Sequence, residues 1–121
     1  METPWSRGSI VLLSWPFTDG TSQKVRPALV VASRVGGSSD FIALMISSQS
    51  RLAGASWHVC VDACQKDFGA TGLKCTSYVR CDRIYTFDSC MVRRVLGKAS
   101  ARIMSAVGDS LLKVLSLTSE A

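Results

Sequence analysis

The chain has 121 residues, of which 47% are apolar and 19% charged, so it is one globular domain with a sizeable core, neither disordered nor long enough for two domains. No stretch approaches the roughly 20 apolar residues of a membrane span, and Ile10 to Trp15 is too short for a signal peptide, which points to a cytoplasmic protein. The net charge of +5 attracts polyanions only moderately, because its basic residues are scattered rather than gathered in a tail.

Residues 1–7 read as an N-terminal tail, with Pro4 and Ser6 against regular structure. Gly8 then opens a first strand, Ser9 to Trp15, which Pro16 stops. Thr18 to Lys24 is a polar loop. After it, Lys24-Val25-Arg26-Pro27 runs into the apolar Ala28 to Val31 and a second strand that ends near Ser33. Pro27 has no N–H and suits the first position of that strand. It also holds Arg26 extended at the rim, where a planar guanidinium can take a phosphate. An ordinary surface arginine fits the same position, and this stretch alone leaves both readings open.

A turn at Val35 to Ser39 leads to a third strand, Asp40 to Ser48, which emerges into the polar cluster Ser47-Ser48-Gln49-Ser50. Trp57 to Val61 is a fourth strand, with His58 and Cys60 on one side and Trp57, Val59 and Val61 on the other. His58 reads as a structural or surface group rather than a catalyst. Asp62 to Gly72 is an irregular excursion. Ser77 to Cys81 and Arg83 to Phe87 are the fifth and sixth strands, with Asp82 between them, and Met91 to Gly97 makes a last short one. Ser100 is an N-cap for the only clear helix, about Ala101 to Leu117, whose apolar face carries Ile103, Met104, Val107, Leu111, Leu112, Val114 and Leu115. The five cysteines are odd in number and lack paired C-x-x-C spacing. They read as reduced thiols, and His58, Cys60 and Cys64 make a poor zinc set, so no metal or other cofactor is expected. Short strands without helical crossovers predict a mainly β fold, a small antiparallel barrel or curled sheet with one C-terminal helix.

Arg80 and Asp82 share a pleat parity and point to one face if the strand persists, while Cys81 points to the other. The pair fits a surface ion pair and, equally, phosphodiester chemistry, in which a carboxylate takes a proton and arginines hold a charged phosphorane.

Several stretches together resemble one family. Arg7-Gly8-Ser9-Ile10 is similar to the opening strand of the MazF/PemK toxins, including Kid, which are ribonuclease toxins of type II toxin–antitoxin pairs. Lys24-Val25-Arg26-Pro27-Ala28-Leu29-Val30-Val31 matches their R-P-x-L-V-V signature, and Ile46-Ser47-Ser48-Gln49 the hydroxyl-rich end of their third strand. Val79-Arg80-Cys81-Asp82, with Tyr85-Thr86-Phe87-Asp88, resembles the V-R-C-D…R-T-I-D pattern of the PemK and Kid branch. The resemblance covers Arg7 to Leu117. It implies a single toxin domain over residues 1–121, with 118–121 as a tail, and an SH3-like barrel that forms a homodimer. It implies metal-independent, sequence-specific cleavage of single-stranded RNA, mRNA included, to a 2′,3′-cyclic phosphate and a 5′-hydroxyl, which stops translation and growth. The partner implied is a MazE/PemI-like antitoxin, through which alone the protein would contact operator DNA. Arg26, Ser47, Arg80 and Asp82 are the catalytic residues on this resemblance, and Thr21, Gln23, Lys24, Ser48, Gln49, Thr76 and Tyr78 the substrate-binding ones. Asp82 is the base for the ribose 2′-OH. A guanidinium keeps its proton near neutral pH, so Arg80 and Arg26 serve as charge stabilisers. The chain departs from the family at Thr21, where the Kid branch has a loop histidine, and at Ser47, where the family has threonine. The alternative is a non-enzymatic toxin on the same barrel, either a gyrase poison like CcdB or a protein that only binds its antitoxin.

Overall fold

The computed structural model describes residues 5–15, 24–54 and 56–117. Six strands form one antiparallel sheet: β1 (Ser9–Trp15), β2 (Lys24–Ser33), β3 (Asp40–Ser47), β4 (His58–Val61), β5 (Ser77–Asp88) and β6 (Val92–Lys98), followed by the helix α1 (Ala101–Val114). The strand order is β4-β5-β3-β2-β1-β6, so β4 and β6 are the edges. This is the mainly β architecture expected from the strand pattern.

The sheet curls between two cores, as alternating apolar residues require when both faces are covered. On the helix side Ile10, Leu29, Leu44, Ile46, Val79 and Cys81 pack with Ile103 and Val107 of α1. On the other side Val11, Leu13, Ala28, Val30, Phe41, Ala43 and Phe87 are closed by Trp5. Trp5 is buried and meets Phe41 edge-on at 4.6 Å, so this part of the expected N-terminal tail is core.

Four local expectations are corrected. The second strand starts at Lys24, and Pro27 lies inside it, opposite Leu12. Pairing with β3 begins only at Ala28, so the ladder at Pro27 runs on one side and tolerates a missing N–H. Trp57 precedes β4 rather than opening it. The fifth and sixth strands are one continuous β5 that bends at a register break, where Leu44 pairs with Ile84 but Met45 with Arg80. The helix ends at Val114, three residues early, and Leu112 and Leu115 are exposed rather than on its buried face.

The start of α1 is stapled to the excursion between β4 and β5. Ser100 Oγ accepts from the Ile103 N–H at 3.2 Å and donates to Asp67 Oδ2 at 2.6 Å, while Arg102 donates to both Asp67 oxygens at 2.9 and 3.0 Å. The hydrogen bond from Arg102, then that from Ser100, lowers the Asp67 pKa from its ordinary 3.8 to about 2. A carboxylate whose folded pKa is depressed contributes stability that is complete above its unfolded value and is lost as pH falls through the folded one. The melting temperature of the wild type is therefore expected to fall more steeply than that of Asp67→Asn between about pH 4 and pH 2. Parallel melting curves over this window would show that the staple contributes nothing.

Candidate active site

The candidate residues lie on one face of four neighbouring strands, at the polar end of the Trp5-side core. Ala28 pairs with Met45 and Met45 with Arg80, while His58 pairs with Arg80 and Ser47 with Tyr78. Strand parity then puts Arg26, Ser47, Tyr78 and Cys60 in one row across β2, β3, β5 and β4, and Ala28, Met45, Arg80 and His58 in the next. Ser47 and Arg80 are diagonal neighbours, a spacing of about 7–8 Å that a long side chain can bridge.

Two polar features involve these residues. The first is a cleft of about 380 Å³ lined by Arg26, Ser47, Ser48 and Gln49, together with Gly72, Lys74, Arg94 and Leu96. Ser47 Oγ accepts the Gln49 N–H at 3.3 Å, which leaves its own proton to donate to an anion. Gln49 Oε1 accepts from Arg51 Nε at 2.7 Å, so that oxygen is engaged. Arg26, Lys74 and Arg94 make the cleft basic. Lys74 and Arg94 are not marked by the sequence, because neither belongs to a local motif and only the fold brings them beside Arg26.

The second feature is centred on Asp82, a third of whose side chain is exposed. Arg80 Nη2 donates to Oδ2 at 3.2 Å, and His58 Nε2 lies 3.2 Å from Oδ1. Partial burial pushes the Asp82 pKa up, but the hydrogen bonds from Arg80 and His58, with the Arg80 charge, outweigh it and hold the carboxyl below the usual carboxylate range. Asp82 is thus ionised at neutral pH, and both its oxygens face donors. It also lines a shallower hollow with Ser56, Trp57, Lys113 and Val114. Arg80 and Asp82 do not line the larger cleft, so the candidate set divides into a basic cleft holding Arg26 and Ser47 and a carboxylate cluster one diagonal step away.

The remaining sequence-derived positions fall as follows. Lys24 is exposed at the start of β2, and Tyr78 is half-buried between Ser47 and Cys60. The Thr76 hydroxyl accepts the Ala63 N–H at 2.9 Å, a contact that fixes the loop before β5. Thr21 and Gln23 lie outside the described residues. His58, read from the sequence as a structural or surface group, has its side chain 97% buried and directly against Asp82. Among the described residues no three His, Cys, Asp or Glu side chains gather closely enough to hold a metal ion, and no helix is long and apolar enough to cross a membrane. All five cysteines are free thiols.

The family profile described as PemK-like, MazF-like toxin of type II toxin–antitoxin system matches residues 6–115. No curated protein matches the chain. Among solved structures, MazF in a MazE–MazF complex from Deinococcus radiodurans superposes with a TM-score of 0.74 at 21% identity, over 97% of this chain and 100% of that one. An endoribonuclease in complex with its cognate antitoxin from a mycobacterial species gives 0.71 at 22% identity, over 93% and 96%. The Mycobacterium tuberculosis toxin MazF-mt6 gives 0.70 at 22% identity, over 91% and 98%. At these identities the superpositions speak for the fold, and the profile match for the family.

Proposed function

The chain belongs to the PemK-like, MazF-like toxin family of type II toxin–antitoxin systems, and from that premise we propose that it is an endoribonuclease that cuts single-stranded RNA. The observation that carries the reading is the ionised Asp82, gripped by Arg80, which itself stands one diagonal step from Ser47 in the basic cleft that also holds Arg26. In the reaction Asp82 takes the proton of a ribose 2′-OH. The freed oxygen attacks the adjacent phosphorus in line, and the 5′-oxygen leaves, taking a proton from solvent water. Carboxylate protonation balances the first step, and the products are a 2′,3′-cyclic phosphate and a 5′-hydroxyl. Arg80 and Arg26 stabilise the charge that builds on the phosphoryl oxygens, and Ser47 donates one neutral hydrogen bond. Base and charge stabilisers are then all side chains, so the reaction proceeds without a divalent metal.

Lys24, Ser48, Gln49 and Tyr78 surround these groups and are read as substrate contacts, with Thr21 and Gln23 from the loop before β2. The protein is further read as a cytoplasmic homodimer with a protein antitoxin as partner. Support for a covered surface comes from the exposed Val25, Trp57, Leu112, Leu115 and Leu117.

The test is incubation of the purified protein with a long single-stranded RNA, EDTA present, followed by analysis of the new ends. Fragments with cyclic phosphate termini are expected. Arg26→Ala should weaken binding and rate together, since a phosphate contact acts in ground and transition states alike. Ser47→Ala should cost only ~0.5–1.5 kcal/mol. An intact RNA after long incubation would refute the enzyme and favour an antitoxin-binding role alone.

A further inference from the structure

His58 is the chain's only histidine, and the mechanism above gives it no task. Its ring is buried, with Nε2 at 3.2 Å from Asp82 Oδ1. A carboxylate oxygen can only accept, so Nε2 carries the hydrogen, and in the neutral ring Nδ1 is a bare acceptor. Nδ1 is itself buried and has no hydrogen-bond partner among the described residues. A buried histidine kept only for structure ordinarily satisfies its polar atoms within the fold. This one directs its single bond at the carboxylate.

The position of the ring is fixed by its surroundings as well. His58 pairs with Arg80 across the β4–β5 ladder, so its position follows the strand that carries Asp82. The Trp57 ring stands edge-on to it at 5.5 Å and 76°. The Trp57 carbonyl in turn accepts from Ser110 Oγ of α1 at 2.5 Å, which ties the start of β4 to the helix. The charged groups around the ring are Arg80 and Asp82, with Lys113 of α1 lining the hollow beside Asp82.

We infer that His58 is a positioning residue for RNA cleavage: its Nε2–H fixes the rotation of the Asp82 carboxylate, so that a free lone pair meets the ribose 2′-OH. Arg80 alone cannot do this. It sits two residues away on the same strand and grips only Oδ2, about which the carboxylate can still turn. A second donor on Oδ1, from the neighbouring strand, removes that freedom. The inference rests on the cleavage reading above.

The test measures single-turnover cleavage and filter binding on one single-stranded RNA across pH, for wild type, His58→Ala and His58→Gln, with thermal melting to check each fold. His58→Ala should slow cleavage ~10- to 100-fold, the cost of a misplaced catalytic group, with RNA affinity unchanged. It should also move the acidic limb of the pH–rate profile to higher pH, because a bond that favours the ionised carboxylate is gone. His58→Gln keeps an N–H donor and should recover most of the rate. His58→Ala cleaving at the wild-type rate overturns the inference, as does His58→Gln being as slow as His58→Ala. A wild type that leaves RNA intact overturns the cleavage reading and this role with it, whereas an active wild type beside an equally active His58→Ala overturns this role alone.

Discussion

Asp82→Asn is expected to lower single-turnover RNA cleavage by ~10²–10⁴-fold while RNA binding stays at or above the wild-type level. The amide has the shape of the carboxyl but cannot take a proton. The neighbourhood sharpens the effect. In the wild type both carboxylate oxygens face donors, Arg80 Nη2 and His58 Nε2. Asparagine can keep its oxygen toward Arg80 and turn its NH2 to His58 only if the ring takes the other tautomer, with Nε2 accepting. The substitution therefore reverses the His58 contact as well as removing the base. Binding follows the opposite course, because a negative charge has been removed beside a site for phosphates. Cleavage by Asp82→Asn at the wild-type rate would show that Asp82 is not the base, and the Arg80–Asp82 contact would then be an ordinary ion pair.

The largest effect on stability is expected at a backbone crossing beside the basic cleft. Gly72, after the short turn Gly69–Thr71, lies against Leu96 of β6, and the turn's Ala70 and Thr71 lie against Gly97. A Cβ at Gly97 would fall 2.2 Å from the Ala70 carbonyl oxygen and 2.5 Å from the Thr71 carbonyl carbon. A Cβ at Gly72 would fall 2.1 Å from the Leu96 oxygen, and Gly72 also has φ of +74°, where side chains are strained. The atoms in the way are backbone, so no rotamer change relieves either clash. Gly97→Ala and Gly72→Ala should each destabilise by about 1–3 kcal/mol, and Gly72→Ala by roughly 1 more for its left-handed backbone. That corresponds to a fall in Tm of roughly 5–15 °C. Gly108→Ala is the control: it lies inside α1 with nothing within 4 Å, and alanine there should stabilise by up to ~1 kcal/mol. The measurement is thermal unfolding of the three variants side by side. Gly97→Ala melting with the wild type would mean that the turn and β6 yield without cost.

What was legible in the sequence was what is local. The apolar runs of β1 and β3, the cap at Ser100 and the shared face of Arg80 and Asp82 all follow from spacings of a few residues. What was misread depends on neighbours. Pro27 looked like a strand start because a sequence cannot tell that β3 begins to pair one residue later. Asp82 looked like a break between strands because a bend inside a continuous strand resembles a turn. His58 lies 24 residues from Asp82, and their contact exists only through the register that sets His58 opposite Arg80. Lys74 and Arg94 likewise join Arg26 only across the folded cleft. The resemblance to a toxin family supplied the catalytic set but carried no pointer to any of these three, since they lie outside its matched motifs.

Four adjacent strands, β4-β5-β3-β2, supply His58, Asp82 with Arg80, Ser47 and Arg26, and the start of β4 is tied to the helix by Ser110. On the proposed reading this sets a schedule during synthesis. Arg26 leaves the ribosome first, but the carboxylate follows 56 positions later and the clamp on Trp57 later still, with most of the chain already made. A nascent fragment holds arginines without a base, or a base without its brace. A protein that cuts messenger RNA threatens the template from which it is being translated, and a site spread from Arg26 to Ser110 withholds that threat until the helix has been made.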